Sequence, residues 1–137
     1  MHRSFFKAAS AVAMLAVIIG AFGAHLLKKY LSTQELESIQ TAVTYQMTHA
    51  IALFLTGVLY RVYRMPKMIY AGYLFFSGII LFSGSIYLRV LLSNLGFAKA
   101  NMVAIITPFG GASFILGWLL LMVAIPPSKK KYQESGE

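Results

Sequence analysis

Apolar residues fall into four long stretches that are separated only by short polar segments. We place these stretches at about residues 5–25, 42–62, 67–92 and 101–125. A helix that crosses a bilayer needs about 20 mostly apolar residues, because each residue adds a rise of about 1.5 Å. The pattern therefore predicts an all-α, polytopic integral membrane protein, with a four-helix bundle over residues 1–128 and a basic cytoplasmic tail over residues 129–137.

The polar connection after the first stretch carries the signature of a helix start. Ser32 is followed three positions later by Glu35, which is the spacing of a capping box, in which each side chain bonds the other residue's backbone N–H. Leu36, Ile39 and Val43 then follow at helical spacing. We therefore predict an amphipathic lead-in that runs straight into the second span and either lies at the membrane surface or rises from it.

Small residues recur along the spans at the spacing of one helix face. Small side chains let two helix backbones approach closely, which matters in a bilayer because lipid supplies no hydrophobic drive between helices. We predict close packing at Ala16, Gly20 and Ala24 in the first span, at Gly78 and Gly84 in the third, and at Gly110, Gly111, Ser113 and Gly117 in the fourth.

The fourth span contains a proline near its beginning. Pro108 lacks a backbone N–H and cannot donate the bond that a continuous helix requires. The helix therefore either kinks at this point or restarts with Thr107 as its N-cap. Because non-helical backbone at membrane depth is tolerated only where protein or a wet cavity shields it, the break is a candidate functional feature.

Composition and charge support a membrane protein and give its orientation. Hydrophobic residues make up 58% of the chain and charged residues 12%, and the net charge is +8. Eight of the twelve Lys and Arg residues lie at the two termini and between the second and third spans. This bias predicts that both termini are cytoplasmic. The same bias accounts for the positive net charge, so no nucleic-acid partner is needed to explain that charge.

The basic residues on the predicted cytoplasmic side are candidates for contact with anionic lipid headgroups. For the lysine run in the tail, a solvated segment that only fixes the topology is the alternative. The candidates for lipid contact are Arg61, Arg64, Lys67, Lys129, Lys130 and Lys131.

Polar residues gather at the opposite leaflet, because spans one and three end on the face from which spans two and four begin. Arg89 costs a few kcal/mol if it is buried in hydrocarbon, so it needs a partner. Its candidate partners are Glu35, Glu37, His49, carbonyls near Pro108 and a lipid phosphate. For each histidine the structural alternative is an interhelical hydrogen bond or an interfacial position, and the functional alternative is ligand binding or proton transfer. The predicted polar cluster comprises His25, Tyr45, Gln46, His49, Ser83, Ser85, Arg89, Thr107 and Pro108.

The sequence lacks the residues that several kinds of catalytic or metal-binding site require. The spans hold no Asp or Glu, which excludes a paired-carboxylate site, a carboxylate proton relay and a two-metal site within them. The chain has no cysteine, which excludes disulfides and thiolate chemistry. Two histidines could in principle hold a haem. We nevertheless expect no metal and no cofactor.

Four motifs together resemble one family. They are Gly-Ala-Phe-Gly-Ala-His at residues 20–25, Tyr-Gln-Met-Thr-His-Ala at 45–50, Ser-Gly-Ser at 83–85 and Thr-Pro-Phe-Gly-Gly at 107–111. Their order is similar to that in domain-of-unknown-function family 423, also called uncharacterised protein family 0382. The resemblance implies a four-helix protein of the bacterial cytoplasmic membrane for which no reaction is established.

These observations favour a structural, stabilising or accessory role in the membrane, exerted through the outer-leaflet polar cluster. The alternative is a small transporter or channel in which His49, Arg89 and the break at Pro108 line a path. An enzyme or a haem carrier comes third. The expected partners are membrane lipids, with a second copy of the chain or another membrane protein as further candidates.

Overall fold

Helices dominate the computed structural model, which describes residues 2–126, apart from the side chains of His2 and Ala24. The α-helices are α1 (His2–His25), α2 (Thr33–Tyr63), α3 (Pro66–Ile79), α4 (Ser85–Asn94) and α5 (Thr107–Ala124). Within the described range, four helices are long and apolar enough to cross a membrane, at Arg3–Gly23, Thr33–Tyr63, Pro66–Asn94 and Ala100–Ala124, and no strand occurs. The predicted all-α, four-span class is confirmed. The predicted tail at 129–137 lies outside the described residues.

Helix α2 begins at the predicted capping box. The Ser32 Oγ atom accepts a hydrogen bond from the Glu35 backbone N–H at 3.3 Å, and the Glu35 carboxylate accepts one from the Ser32 N–H at 2.9 Å. The helix then continues for 31 residues without a break. The prediction of a lead-in that runs straight into the second span is therefore confirmed.

A tight hairpin joins α2 to α3. Arg64 ends α2 in the left-handed region, at φ 53°, and its N–H donates to the Tyr60 carbonyl at 2.9 Å. Pro66 then opens α3, where a missing N–H costs nothing because the first turn has no acceptor for it. We call this end of the bundle, where α1 also starts, the hairpin end. The opposite end, where α2 begins, is the lead-in end.

The third span contains a π-helical turn that the sequence analysis did not predict. Residues Ile80–Gly84 form this turn between α3 and α4. A π turn adds a residue to the helical repeat and shifts the face that the following residues present. Ser83 lies in the turn with none of its surface exposed, and its hydroxyl donates to the Ala42 carbonyl of α2 at 2.8 Å.

The fourth span restarts at its proline. A 3₁₀ helix covers Ala100–Ile106, and α5 begins at Thr107 with Pro108 in its first turn. The predicted break takes the form of the second alternative, a restart, but the N-cap that this alternative named, Thr107, is wrong. Thr107 already has helical dihedrals, the cap position is Ile106 without a side-chain bond, and the Thr107 hydroxyl is engaged with another helix.

Neighbouring spans pack against each other in chain order. Helix α1 packs along α2, α2 against α3, and α3 against α5. The core between them is aromatic and aliphatic, with Phe5, Leu53, Met68, Phe75 and Phe114 among its buried side chains. Large apolar side chains on the outer faces of α1 and α5 stay exposed, as expected of helices that meet lipid.

Glycines bring α3 and α5 together most closely. A Cβ atom on Gly110 would overlap the backbone of Phe82, and one on Gly78 would stand 2.5 Å from the Phe114 ring. A Cβ atom on Gly117 would lie 2.8 Å from an aromatic ring of α3. All three positions therefore work as the small-residue packing sites that the sequence predicts.

The small-residue face of the first span packs on α2 over its described part. Ala16 is fully buried, and a Cβ atom on Gly20 would lie 3.3 Å from the Val43 side chain. The side chain of Ala24, the third residue of this predicted face, lies outside those described. Where the side chains are described, the spacing of four residues therefore marks the face of α1 that contacts α2.

Three other predicted packing positions do not make close contacts. Gly84 has no atom within 4 Å of where a Cβ would stand, and Gly111 has only one, a Phe82 ring atom at 4.0 Å. Ser113 is half-buried, and its hydroxyl bonds the Phe109 carbonyl of its own helix at 2.9 Å. At Gly84 the physical reason is the π turn, which turns this residue away from the contact face.

Candidate functional site

Hydrogen-bonded polar side chains of the spans form what we call the polar network, which consists of Gln46, His49, Ser83, Ser85, Tyr87, Thr107 and Trp118. Gln46 of α2 is 4% exposed and ties three helices together. Its Nε2 atom donates to the Val12 carbonyl of α1 at 2.7 Å, and its Oε1 atom accepts from the Tyr87 hydroxyl of α4 at 2.9 Å. Such bonds stabilise helix pairs in lipid, where unpaired amides find no water.

His49 uses both ring nitrogens within the bundle. Nδ1 lies 2.8 Å from the Tyr45 carbonyl, which can only accept, so the partners assign the proton to Nδ1. Nε2 is then an acceptor, and the Trp118 indole N–H donates to it at 3.2 Å. The imidazole also stacks on the Phe114 ring at a centroid distance of 3.5 Å. No ring nitrogen is left for a ligand or a mobile proton.

The hydroxyl groups of the third and fourth spans complete the polar network. The Ser85 hydroxyl donates to the Phe82 carbonyl at 2.9 Å, so its one proton is used. The Thr107 hydroxyl, 2.8 Å from Ser85 Oγ, must therefore be the donor of the bond between them. Together with the bond from Ser83 to Ala42, this bond joins the spans beside the π turn.

The polar network leaves nothing buried without a partner. Across residues 2–126, every buried side-chain nitrogen or oxygen atom has a hydrogen-bond partner. The same part of the chain holds no group of three or more His, Cys, Asp or Glu side chains able to bind a metal ion. Because an unsatisfied polar atom is costly in an apolar interior, complete pairing is what a helix-joining role requires.

Arg89 stands outside the polar network. It is half-buried, and its Nη2 atom donates to Ser38 Oγ at a long 3.3 Å. It forms no ion pair with any residue in the described range, and Glu35 instead accepts a bond from Asn94 at 2.9 Å. Arg89 lines a pocket of about 240 Å³ with Glu35, and a groove of about 460 Å³ with Thr107.

The remaining predicted cluster residues take peripheral positions. His25 is exposed at the end of α1 and bonds no residue that the structure describes. Tyr45 is 43% exposed, with its ring stacked on Phe82 at 4.6 Å and on His49 at 5.9 Å between centroids, and its carbonyl bonds His49. Pro108 lines the same groove as Arg89.

Sequence analysis missed Tyr87 and Trp118. Both belong to the polar network, through Gln46 and His49 respectively. The signal was present, because a Tyr hydroxyl or Trp N–H in an apolar span favours a hydrogen-bond partner from a neighbouring helix. The partners themselves lie on other helices, which no local pattern identifies.

Basic side chains gather at the hairpin end. Arg61, Arg64 and Lys67, predicted to contact lipid, are all exposed. Arg61 and Arg64 line a pocket of about 720 Å³ together with Arg3, Phe6 and Tyr60. The other predicted lipid contacts, Lys129, Lys130 and Lys131, lie outside the described residues.

Comparison with known proteins assigns the chain to a family. A family profile described as "Protein of unknown function (DUF423)" matches residues 19–111. The chain is 43% identical over 112 residues to UPF0382 membrane protein SAB0533 of Staphylococcus aureus (strain bovine RF122 / ET3-1), covering 82% of this chain and 86% of that protein. It is 39% identical over 113 residues to UPF0382 membrane protein YwdK of Bacillus subtilis (strain 168), covering 82% and 87%. No solved structure matches. The chain is thus a member of the DUF423 family, a family of small membrane proteins whose activity is uncharacterised.

Proposed function

We propose that this protein has a structural or accessory role in the bacterial cytoplasmic membrane, acting as a rigid four-span body through contacts with lipids or other membrane proteins. The observation that carries the proposal is the complete pairing of the polar network. A conduit needs polar groups that can exchange partners with a passing solute. Here those groups are occupied by partners within the bundle, either in their own span or in another one.

The surroundings of His49 support the same function. Its ring is packed among aromatic side chains, with Phe114 stacked on it at 3.5 Å and Phe75 at 5.9 Å between ring centroids. Trp118 closes another side through its N–H bond. A histidine whose nitrogens and faces are both covered holds helices together and has no open face for transport.

The distribution of charge supports the cytoplasmic membrane and the orientation. The hairpin end carries Arg3, Lys7, Arg61, Arg64 and Lys67. Positive residues concentrate in short cytoplasmic segments of helical membrane proteins, so the termini of the bundle would lie inside. The acidic residues Glu35 and Glu37 lie at the other end, at the start of α2.

Flux measurements test this proposal directly. In proteoliposomes with a pH-sensitive or chloride-sensitive dye inside, we expect flux equal to that of empty vesicles. In parallel, purification in a mild detergent should recover a specific lipid or a reproducible membrane-protein partner. Recovery of the protein alone, or flux above background, would contradict the proposal.

A small transporter or channel is the second candidate, and one observation favours it. Arg89 lies between the pocket that contains Glu35 and the groove that contains Thr107 and Pro108, and no carboxylate neutralises its charge by contact. A half-buried cation in a span is a common element of an ion path. Flux that disappears in Arg89→Gln but persists in Lys99→Gln, which removes a charge from the same end of the bundle, would support this candidate.

A further inference from the structure

We propose that Arg3, Arg61 and Arg64 form a binding site for a phosphate-bearing anion at the hairpin end of the bundle. The three side chains line one pocket of about 720 Å³, although Arg3 belongs to the start of α1 and the other two to the end of α2. The site therefore exists only in the folded protein. It is separate from the polar network and from the pockets around Arg89.

The charges of this pocket are uncompensated within the described residues. None of the three guanidinium groups forms a hydrogen bond or ion pair with any residue between 2 and 126. The carboxylates in that range, Glu35 and Glu37, stand at the far end of α2, and Glu35 is about 39 Å from Arg61 along the helix at about 1.5 Å per residue. Glu134 and Glu137 lie outside the described range.

Arginine matches a phosphate group in geometry as well as in charge. Its planar guanidinium presents paired N–H donors that fit two oxygens of one phosphate, and it remains charged at all physiological pH values. The partial charges of the two helix dipoles at the pocket cancel, since the start of α1 carries about half a positive charge and the end of α2 about half a negative charge. The three full charges of the side chains therefore decide the sign of the site.

Arg64 gives a second indication that a side chain is required at this place. It is the only residue other than glycine between residues 2 and 126 with a positive φ, at 53°. Glycine or asparagine satisfies such a helix end with less strain. Arginine at this position costs backbone strain but adds a guanidinium group to the pocket, and such strain is concentrated at functional sites.

The walls of the pocket suit a headgroup at the membrane surface. Tyr60 and Phe6 line it beside the arginines, and the Phe6 ring packs on Phe54 at a centroid distance of 4.8 Å. Tyrosine favours the headgroup layer of a bilayer. A lipid phosphate and a free phosphate anion offer the same chemistry to these arginines, and the experiment separates the two.

Native mass spectrometry of the full chain in a neutral detergent tests the site. The probes are phosphatidylglycerol, a diacylglycerol with the same acyl chains and no phosphate, and inorganic phosphate. We expect one phosphatidylglycerol to bind more tightly than the diacylglycerol, and Arg61→Gln to weaken that binding about tenfold. Displacement of the lipid by excess inorganic phosphate assigns the site to small anions, whereas retention assigns it to lipid headgroups.

Two further variants separate a built site from a positive surface. Lys7→Gln removes one exposed charge from the same end of the bundle without touching the pocket, and we expect it to bind phosphatidylglycerol like the wild type. Arg64→Gly removes a guanidinium and relieves the positive φ, so lipid binding should fall about tenfold while the thermal midpoint stays equal or rises. Equal losses in Lys7→Gln and Arg61→Gln, or equal binding of both lipids, would overturn the proposal.

Discussion

Polar side chains in the interior of the bundle are hydrogen-bonded within the chain, whereas the arginines at its hairpin end have no partner among the described residues. In the interior, Gln46 uses both of its polar atoms in bonds to other helices, and His49 bonds its own helix through Nδ1 and the fourth span through Nε2. At the hairpin end, Arg3, Arg61 and Arg64 share one pocket without a partner among the described residues. The difference separates residues that hold the fold together from residues that stay available to a ligand.

The physical cause of this contrast is the surroundings of each region. An apolar interior offers no water, so a polar group there must find its partner within the chain or pay a desolvation penalty. The membrane surface offers water and headgroups, so a guanidinium group there needs no partner from the protein. The contrast therefore predicts that substitutions in the interior affect stability, whereas substitutions at the ends affect binding.

The largest effect is expected where two spans touch through their backbones. In Gly110→Val, the new side chain would overlap the backbone of Phe82, which cannot move without opening the π turn. We expect a loss of about 3 kcal/mol or more in the free energy of unfolding, measured by denaturant titration in detergent micelles. The control is Gly84→Ala, which meets nothing within 4 Å and should be neutral or stabilising. Equal behaviour of the two variants would contradict the close contact.

The next effect is expected at the centre of the polar network. Gln46→Leu leaves the Tyr87 hydroxyl without its acceptor and removes the hydrogen bond from α2 to the Val12 carbonyl of α1. We expect a loss of about 1–3 kcal/mol in the free energy of unfolding. Gln40→Leu removes an exposed amide from the same helix and should change the stability by less than about 0.5 kcal/mol. A loss in Gln40→Leu as large as that in Gln46→Leu would remove the distinction between interior and surface.

A smaller and more local effect is expected at His49. His49→Phe keeps a ring on Phe114 but takes the acceptor from the Trp118 N–H, at a cost of about 1 kcal/mol in the free energy of unfolding. Trp118 is the only tryptophan, so the fluorescence emission reports on the surroundings of this one side chain. We expect emission at shorter wavelength in His49→Phe and unchanged emission in Tyr87→Phe. Unchanged emission in both would indicate that the bond is absent.

The features that sequence analysis predicted correctly depend on chemistry within a few residues. The capping box of Ser32 and Glu35 and the restart of the fourth span at Pro108 each follow from which backbone donors and acceptors a short segment can satisfy. The apolar length of each span is a local property as well. These features therefore needed no knowledge of the neighbouring helices.

The features that it missed depend on contacts between distant spans. The π turn lies where Gly110 meets the backbone of Phe82 and where Ser83 bonds the Ala42 carbonyl, and neither contact follows from local spacing. The same holds for His49, which the sequence left open between a ligand and a structural bond. Its indole partner comes from the fourth span, so only the folded bundle shows which nitrogens are occupied.

The smallest effect on stability is expected at Arg89, which has features of both regions. It is half-buried like the interior residues, yet its described partner is one hydroxyl at 3.3 Å. Because a single long bond at a partly hydrated site contributes little, Arg89→Gln should lower the free energy of unfolding by less than about 1 kcal/mol, measured beside Gln46→Leu in the same detergent. A loss equal to that of Gln46→Leu would place Arg89 among the residues that hold the fold. A small loss leaves its charge free for a ligand in the pocket or groove that it lines.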